Sequence, residues 1–289
     1  MKINYTVSES ENSLTVYDIL KKKLKISRRL IIALKKNNGI ELNSLPVFTN
    51  QTVKESDILS VNLEEKESST DIMPENIPLD IIYEDEHILV VNKPQGMTVH
   101  PTLNYESGTL ANAVMYYYKD VSFVFRPVNR LDKDTSGLVL VAKNKLSAER
   151  LSKQLHDKAI NKTYTAILVG VPSPVSGTVD VPISRTDDSI IKRQVSENGA
   201  KSKTIYKVIK NNSKMSLVEV SPVTGRTHQI RVHMAHIGCP LYADFLYGTE
   251  IENETFYLHC SSLSFTHPFT DQKVNLTCDL PHYFKDFTF

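Results

Sequence analysis

The stretch "NRLDKDTSGLVLVA", Asn129 to Ala142, sets Asp132 and Asp134 among Arg130 and Lys133, then passes through Thr135, Ser136 and Gly137 into five apolar residues. Such a run, rich in Val and Leu and entered through a short polar turn, reads as a buried strand with a charged loop at its mouth. Alternation along an extended backbone turns Arg130 and Asp132 to one side and Leu131 into the core. A carboxylate at such a mouth loses water, which favours its neutral form, unless an adjacent cation favours the charged one. As a bare pattern, two aspartates among cations are more often a solvated loop ion pair than a reactive site. The rest of the chain has to decide between those readings.

At 289 residues, the chain is long enough for one large or two unequal domains, with ordinary apolar and charged fractions. The opening "MKINYTVSESENS" lacks the apolar core of a leader, and no window approaches the roughly 18 apolar residues of a membrane span. A cytoplasmic protein is the default expectation, and a monomer the default state. Cys239, Cys260 and Cys278 are odd in number and far apart, so they read as reduced thiols rather than a zinc site or a disulfide framework.

The net charge of +1 hides a strong asymmetry. Lys21, Lys22, Lys23, Lys25, Arg28, Arg29, Lys35 and Lys36 fall within a segment free of Asp and Glu, while "EEKESSTD" carries acids farther on. A phosphate backbone responds to charge within a screening length, not to the total. In "LTVYDILKKKL", Leu14, Ile19, Leu20 and Leu24 fall near one helical face. Ser27 can cap a second helix, "RRLIIALKK", which Asn38-Gly39 stops, and the strand-like pieces "GIELN", "LPVF" and "DILSVNL" follow. Two basic helices and a small sheet resemble the RNA-binding domain of the S-four type, named for a small-subunit ribosomal protein; a solvated charged face is the plainer alternative. The expected organisation is this small α+β domain at residues 1–63, an acidic exposed linker at 64–78 with Pro74 and Pro78, and a second domain at 79–289.

In the second domain, "LDIIYEDEHILVVNK" reads as a hairpin, "SGTLANAVMYYYKD" as a helix capped by Ser107 or Thr109, and "KLSAERLSKQLHDKAI" as another helix. "KTYTAILVG", "KTIYKVIKN" and "SLVEVSPV" add strands. Without regular βαβ alternation, a mostly antiparallel, mixed-sheet α+β domain is expected.

Residues Arg130 to Gly137 resemble the catalytic motif of the large-subunit ribosomal RNA pseudouridine synthases, usually His-Arg-Leu-Asp followed by Thr-Ser-Gly or Thr-Thr-Gly. Four further segments resemble that family in the same order: "VVNKPQGMTVHP", "NKTYTAILVG", "VTGRTHQIRVHMAHIGCPLYADFLYG" and "LHCSSLSFTHP". The resemblance spans roughly residues 79–289. It implies that Asp132 is the catalytic aspartate, that Tyr164 stacks on the base and shares in proton movement, and that Arg226 pairs with Asp132. It further implies that Arg130 holds a phosphate of a flipped nucleotide, that Ile230 closes the other side of the base, and that His228 contacts RNA. Asn129 stands where the family has histidine; its amide can hydrogen-bond to substrate but cannot become cationic.

The chemistry suits these residue types. Uridine becomes pseudouridine when the bond from base nitrogen to ribose breaks, the uracil turns, and a carbon takes its place, with no net oxidation and no water consumed. No cofactor is required. A carboxylate kept ionised by a cation in a site that excludes water is required. A non-catalytic RNA-binding or ribosome-assembly factor of the same fold is the alternative, and Asn129 is the feature in its favour. No partner carboxylate stands out for a glycosidase, and no phosphate-binding Gly-Lys-Ser/Thr loop for an NTPase. His228, His233 and His236 have no metal-motif spacing and read as helix-surface histidines. Lys192, Arg193, Lys201 and Lys203 read equally as a phosphate-tracking loop and as an exposed hairpin.

Overall fold

The computed structural model describes residues 1–64, 68–103 and 105–289. The N-terminal part comprises β1 (Lys2–Thr6), α1 (Val16–Asp18) continued by a π turn at Ile19–Lys23, α2 (Arg28–Lys36), β2 (Ile40–Leu42), β3 (Leu45–Pro46) and β4 (Ile58–Asn62). Ser27 caps α2 by accepting from the Leu30 amide at 3.1 Å, and Leu30, Ile31 and Leu34 bury the apolar stripe. The second helix of the basic pair therefore forms where its cap and stripe place it. The first is shorter than expected and widens where Leu24 N reaches back to Ile19 O. Strand β1 escapes a reading of the alternating "KINYT" because it is an edge strand, paired only through β4 in a sheet of order β1-β4-β2-β3.

The larger part runs through β5 (Ile81–Glu84), β6 (Ile88–Lys93), α3 (Leu110–Tyr117), β7 (Ser136–Ala142), α4 (Lys145–His156), β8 (Asn161–Val169), β9 (Ser176–Val179), β10 (Ile183–Arg185) and β11 (Arg193–Val195). It ends with β12 (Thr204–Asn211), β13 (Met215–Pro222), α5 (Gln229–His236), β14 (Leu258–Thr266) and β15 (Lys273–Thr277). The main sheet has the order β5-β6-β7-β14-β8-β13-β12-β9, with β15 on β14. Every pairing in it is antiparallel except β7 with β14. The fold is thus α+β with a mostly antiparallel mixed sheet.

All seven residues of β7 are buried, as expected of a central strand with both faces covered. Its first two residues pair with His259 and Cys260, so Ser136 and Gly137 already belong to the strand. Gly137 has φ +108°, and a Cβ there would lie 2.3 Å from the Cys260 carbonyl oxygen, so only glycine lets the two backbones approach this closely. Thr109 caps α3 reciprocally with Asn112.

Of the expected linker 64–78, residues 65–67 lie outside the described residues. The segment after them is exposed over most of its length, as expected, and is also anchored at several points. Ser68 and Ser69 hydroxyls accept from the Phe123 and Phe125 amides, Ile72 is buried, and Asn112 Nδ2 donates to Met73 O at 2.7 Å. No helix among the described residues is long and apolar enough to cross a membrane.

Candidate active site

Asp132 sits in the loop between Val128 and β7, and two side chains and a backbone turn hold that loop. The Asn129 amide donates to Leu138 O at 3.0 Å and its oxygen accepts from Leu140 N at 2.8 Å, tying the loop's start to β7. Lys93, at the end of β6, is 0% exposed and donates to Pro94 O, Met97 O and Lys133 O at 2.8, 2.7 and 3.0 Å. Three carbonyls match the three donors of an ammonium, while burial pulls its pKa down to about 7 against the attraction of Asp134 and Asp132. Thr135 N donates to Asp132 O, closing the turn. Leu131 is buried, Arg130 exposed and Asp132 half-buried, in keeping with the alternation.

The loop forms one wall of a groove of about 710 Å³, within the range of small-molecule clefts. Asn129, Arg130, Asp132, Tyr164, Arg226, His228 and Ile230 all line it, so the structure brings these seven together. Tyr164 and Ile230 are almost fully buried. Burial first, then Cys260 and Asp132, pushes the Tyr164 hydroxyl well above its ordinary pKa, so it stays protonated at neutral pH.

Arg226 does not pair with Asp132. Its Nε donates to Lys201 O at 3.2 Å and the residue is exposed on the rim. The guanidinium that meets the carboxylate belongs to Arg231, with Nη1 3.7 Å from Asp132 Oδ2. Arg231 is 3% exposed, and Asp244 grips it in a fork, Nε to Oδ2 at 2.8 Å and Nη2 to Oδ1 at 2.7 Å. Phe256 lies beneath it, its ring 4.1 Å from Cζ. Burial alone would lower the Arg231 pKa, but the Asp244 bonds reverse this and raise it. The choice between the two arginines follows from His228, whose φ of 56° starts α5 from a left-handed residue and separates the helical Arg231 from the loop-borne Arg226.

His228 is therefore an N-terminal turn residue of the groove wall rather than a helix-surface histidine. Its Nδ1 pairs with the Tyr247 hydroxyl at 2.8 Å and its Nε2 lies 3.8 Å from Asp132 Oδ2. Burial lowers its pKa although Asp132 pulls it upward. His233 corrects the surface reading further: it is 0% exposed, with Nδ1 on Thr204 Oγ1 at 2.8 Å and Nε2 on Val181 O at 3.1 Å. His236 is exposed, as expected. The buried Asn129, expected to touch substrate, borders the groove while its amide bonds the β7 backbone. Arg193 and Lys203 belong to the hairpin reading: the Arg193 guanidinium donates to three carbonyls of its own loop, and Lys203 pairs with Asp180 at 3.3 Å.

Sequence reasoning missed Lys93, Arg231, Asp244 and Tyr247. Lys93 left a trace, since it continues the buried alternation of "ILVVNK" in phase with Val91. Arg231 left none, because Gln229 through Met234 are all buried and helical periodicity does not single it out.

A sequence model described as RNA pseudouridylate synthase matches residues 87–236, across the Asp132 loop, Tyr164 and α5. The chain belongs to the RNA pseudouridylate synthase family. The synthase also matches, over residues 3–59, a model described as the RluD ribosomal pseudouridine synthase N-terminal domain. It is 38% identical over 281 residues to the uncharacterized RNA pseudouridine synthase YhcT of Bacillus subtilis (strain 168), covering 95% of this chain and 92% of the relative. It is 36% identical to ribosomal large subunit pseudouridine synthase D of Borreliella burgdorferi, covering 91% and 85% of the two chains. Among solved structures, human RNA Pseudouridylate Synthase Domain Containing 1 aligns with TM-score 0.61 and 27% identity over 72% of this chain and 85% of that one. The synthase is an isomerase acting on RNA. A module that only grips RNA has no use for a buried, doubly engaged guanidinium beside a carboxylate, so the site does not favour the binding-only alternative.

Proposed function

We propose that this synthase isomerises uridines in large-subunit ribosomal RNA, as the name of the Borreliella burgdorferi relative says of that protein, and that it does so in the cytoplasm as a monomer. In this reading residues 1–63 grip folded RNA and residues 79–289 carry out the reaction. One observation carries it: Asp132 meets a guanidinium locked by Asp244 on the wall of a groove that also holds a buried tyrosine.

A target uridine leaves its stack and enters the groove, at a cost of a few kcal/mol in stacking and pairing. The Tyr164 ring offers a face for the base, Ile230 closes the opposite side, and exposed Arg130 takes a phosphate; together these offset the cost. The Asp132 carboxylate reaches the nucleotide while the Arg231 charge attracts it from behind. Because Asp244 already orients Arg231, that charge needs no reorganisation as the bond to ribose breaks. Tyr164, protonated at rest, is placed to take part in the proton movement at ring carbon five, where one proton leaves as the freed ring nitrogen gains one. His228 stays neutral near Asp132 and adds no second cation.

The test is tritium release from uridine-labelled RNA. Asp132→Asn is expected to abolish release while leaving RNA affinity unchanged, and full turnover by Asp132→Asn or Asp132→Ala would reject the assignment. Pseudouridine mapping in cells with and without the gene identifies the RNA; unchanged ribosomal RNA and a changed transfer RNA would move the substrate to the latter.

A further inference from the structure

The two parts of the chain meet along α4, whose ends touch different things. At its start, Leu146 is 0% exposed and packs into the N-terminal core rather than the core of the main sheet. One turn on, Glu149 accepts from Ser27 N at 2.7 Å and also from the Ser27 hydroxyl. Ser27 is the cap of α2, so a carboxylate of the larger part completes the N-terminus of the basic helix, where negative charge is favoured. Arg150 spans the joint with both arms: Nη2 donates to Leu24 O at 2.7 Å and Nη1 to Pro268 O at 2.6 Å, with Cζ 4.9 Å above the Phe269 ring. Phe269 itself packs against the N-terminal core. At the other end of α4, Leu155, His156 and, just beyond, Lys158 line the Asp132 groove.

One helix thus has the cap of α2 bolted to it at Glu149 and the groove rim at His156, seven residues or about 10 Å apart along the axis. Lys25, Arg28 and Arg29 flank Ser27, are exposed, and form no ion pair among the described residues. A polyanion reaching both these cations and the groove must span a set distance. A hinged pair of domains would impose no such rule.

We infer that α4 is a rigid strut, that Glu149 and Arg150 are its fixing residues, and that they select RNA folds presenting a backbone tract and the target uridine at that spacing. The inference rests on the uridine-isomerising reading of the groove. Glu149 and Arg150 touch no reacting atom; they are positioning residues. Two-point attachment raises the effective concentration at the second point, so removing the strut weakens binding only for RNA long enough to use both points.

The experiment uses full-length enzyme and whole RNA from a strain lacking the gene, together with a short stem–loop cut around the uridine that becomes modified. For Glu149→Ala/Arg150→Ala, KM for the long RNA is expected to rise at least about 10-fold, with kcat on both RNAs and KM for the stem–loop unchanged. Equal losses on both RNAs, or no loss on either, would overturn the strut. Wild-type enzyme inactive on every RNA would instead sink the uridine reading itself. An independent arm needs no activity: spin labels at Lys36→Cys and Lys207→Cys, in a Cys278→Ser background, should give one narrow distance in the otherwise wild-type protein and a broad one in the double variant. A broad distribution with Glu149 and Arg150 intact would defeat the proposal.

Discussion

At Asp132 the decisive neighbour is an arginine held by another acid. A lysine at position 231 would be a point charge unable to fork onto Asp244 and still face Asp132. We expect Arg231→Lys to lower kcat by about 10²-fold or more, as loss of a preorganised charge-stabilising group does. Arg226→Ala, at a rim residue, should act on KM and leave kcat within a few fold. Single-turnover tritium release separates the two, and a larger kcat loss in Arg226→Ala would restore the pairing expected from the linear motif. Arg130 and Asp132 were legible because the extended loop that carries them alternates and shows which way each faces, whereas Tyr164 in β8 and Ile230 in α5 were reached only through the family resemblance. Arg231 was not legible, because both arginines of "GRTHQIR" fit the chemistry and only the left-handed turn at His228 separates them.

Among the elements, β7 and β14 pair where the Asp132 loop enters the sheet, and each supplies a test. Alanine at Gly137 would adopt a left-handed φ and drive a methyl into the Cys260 backbone. The expected cost is about 3 kcal/mol from strain plus overpacking, read in a denaturant titration. A decrease of less than about 1 kcal/mol would show that β7 and β14 can part freely. In β14, His259 is buried, with Nδ1 on the Ser136 hydroxyl at 2.9 Å and Nε2 on Cys278 Sγ at 3.2 Å. Burial lowers its pKa from 6.5 to about 4, against backbone bonds that raise it. The unfolded chain takes up this proton near pH 6.5 and the folded one only near 4, so the contribution is complete above 6.5 and is lost as pH falls through 4. The swing is on the order of 3 kcal/mol. His259→Gln should flatten melting temperature against pH in that window; an unchanged slope would assign it to other groups. Most strands of this part were legible from their apolar runs. The parallel pairing of β7 with β14 was not, since the partners lie more than a hundred residues apart.

At the scale of the molecule, the asymmetric charge becomes an address. Lys22 and Lys23 are engaged by Asp18 and Glu11, which leaves Lys25, Arg28 and Arg29 exposed around the α2 cap. Each phosphate that the protein ceases to neutralise should reduce the slope of log affinity against log salt by about 0.7 to 0.9. Arg28→Ala/Arg29→Ala is therefore expected to lower the slope for long RNA by roughly 1.5 without changing turnover at saturating RNA. A slope unchanged in filter binding would remove α2 from the RNA-binding face.

The chain by itself determined most of its elements, the burial of "LVLVA", the capping of α2 by Ser27 and the residue types that isomerisation needs, because these depend on neighbours a few positions apart. Only tertiary structure decided that Arg231 rather than Arg226 meets Asp132, that Lys93 and Asn129 hold the loop, and that Glu149 and Arg150 join the two parts. Each of those choices sets a charge or amide against a group far away in sequence, where the cost of burial without a partner selects the arrangement, and no local pattern records that cost.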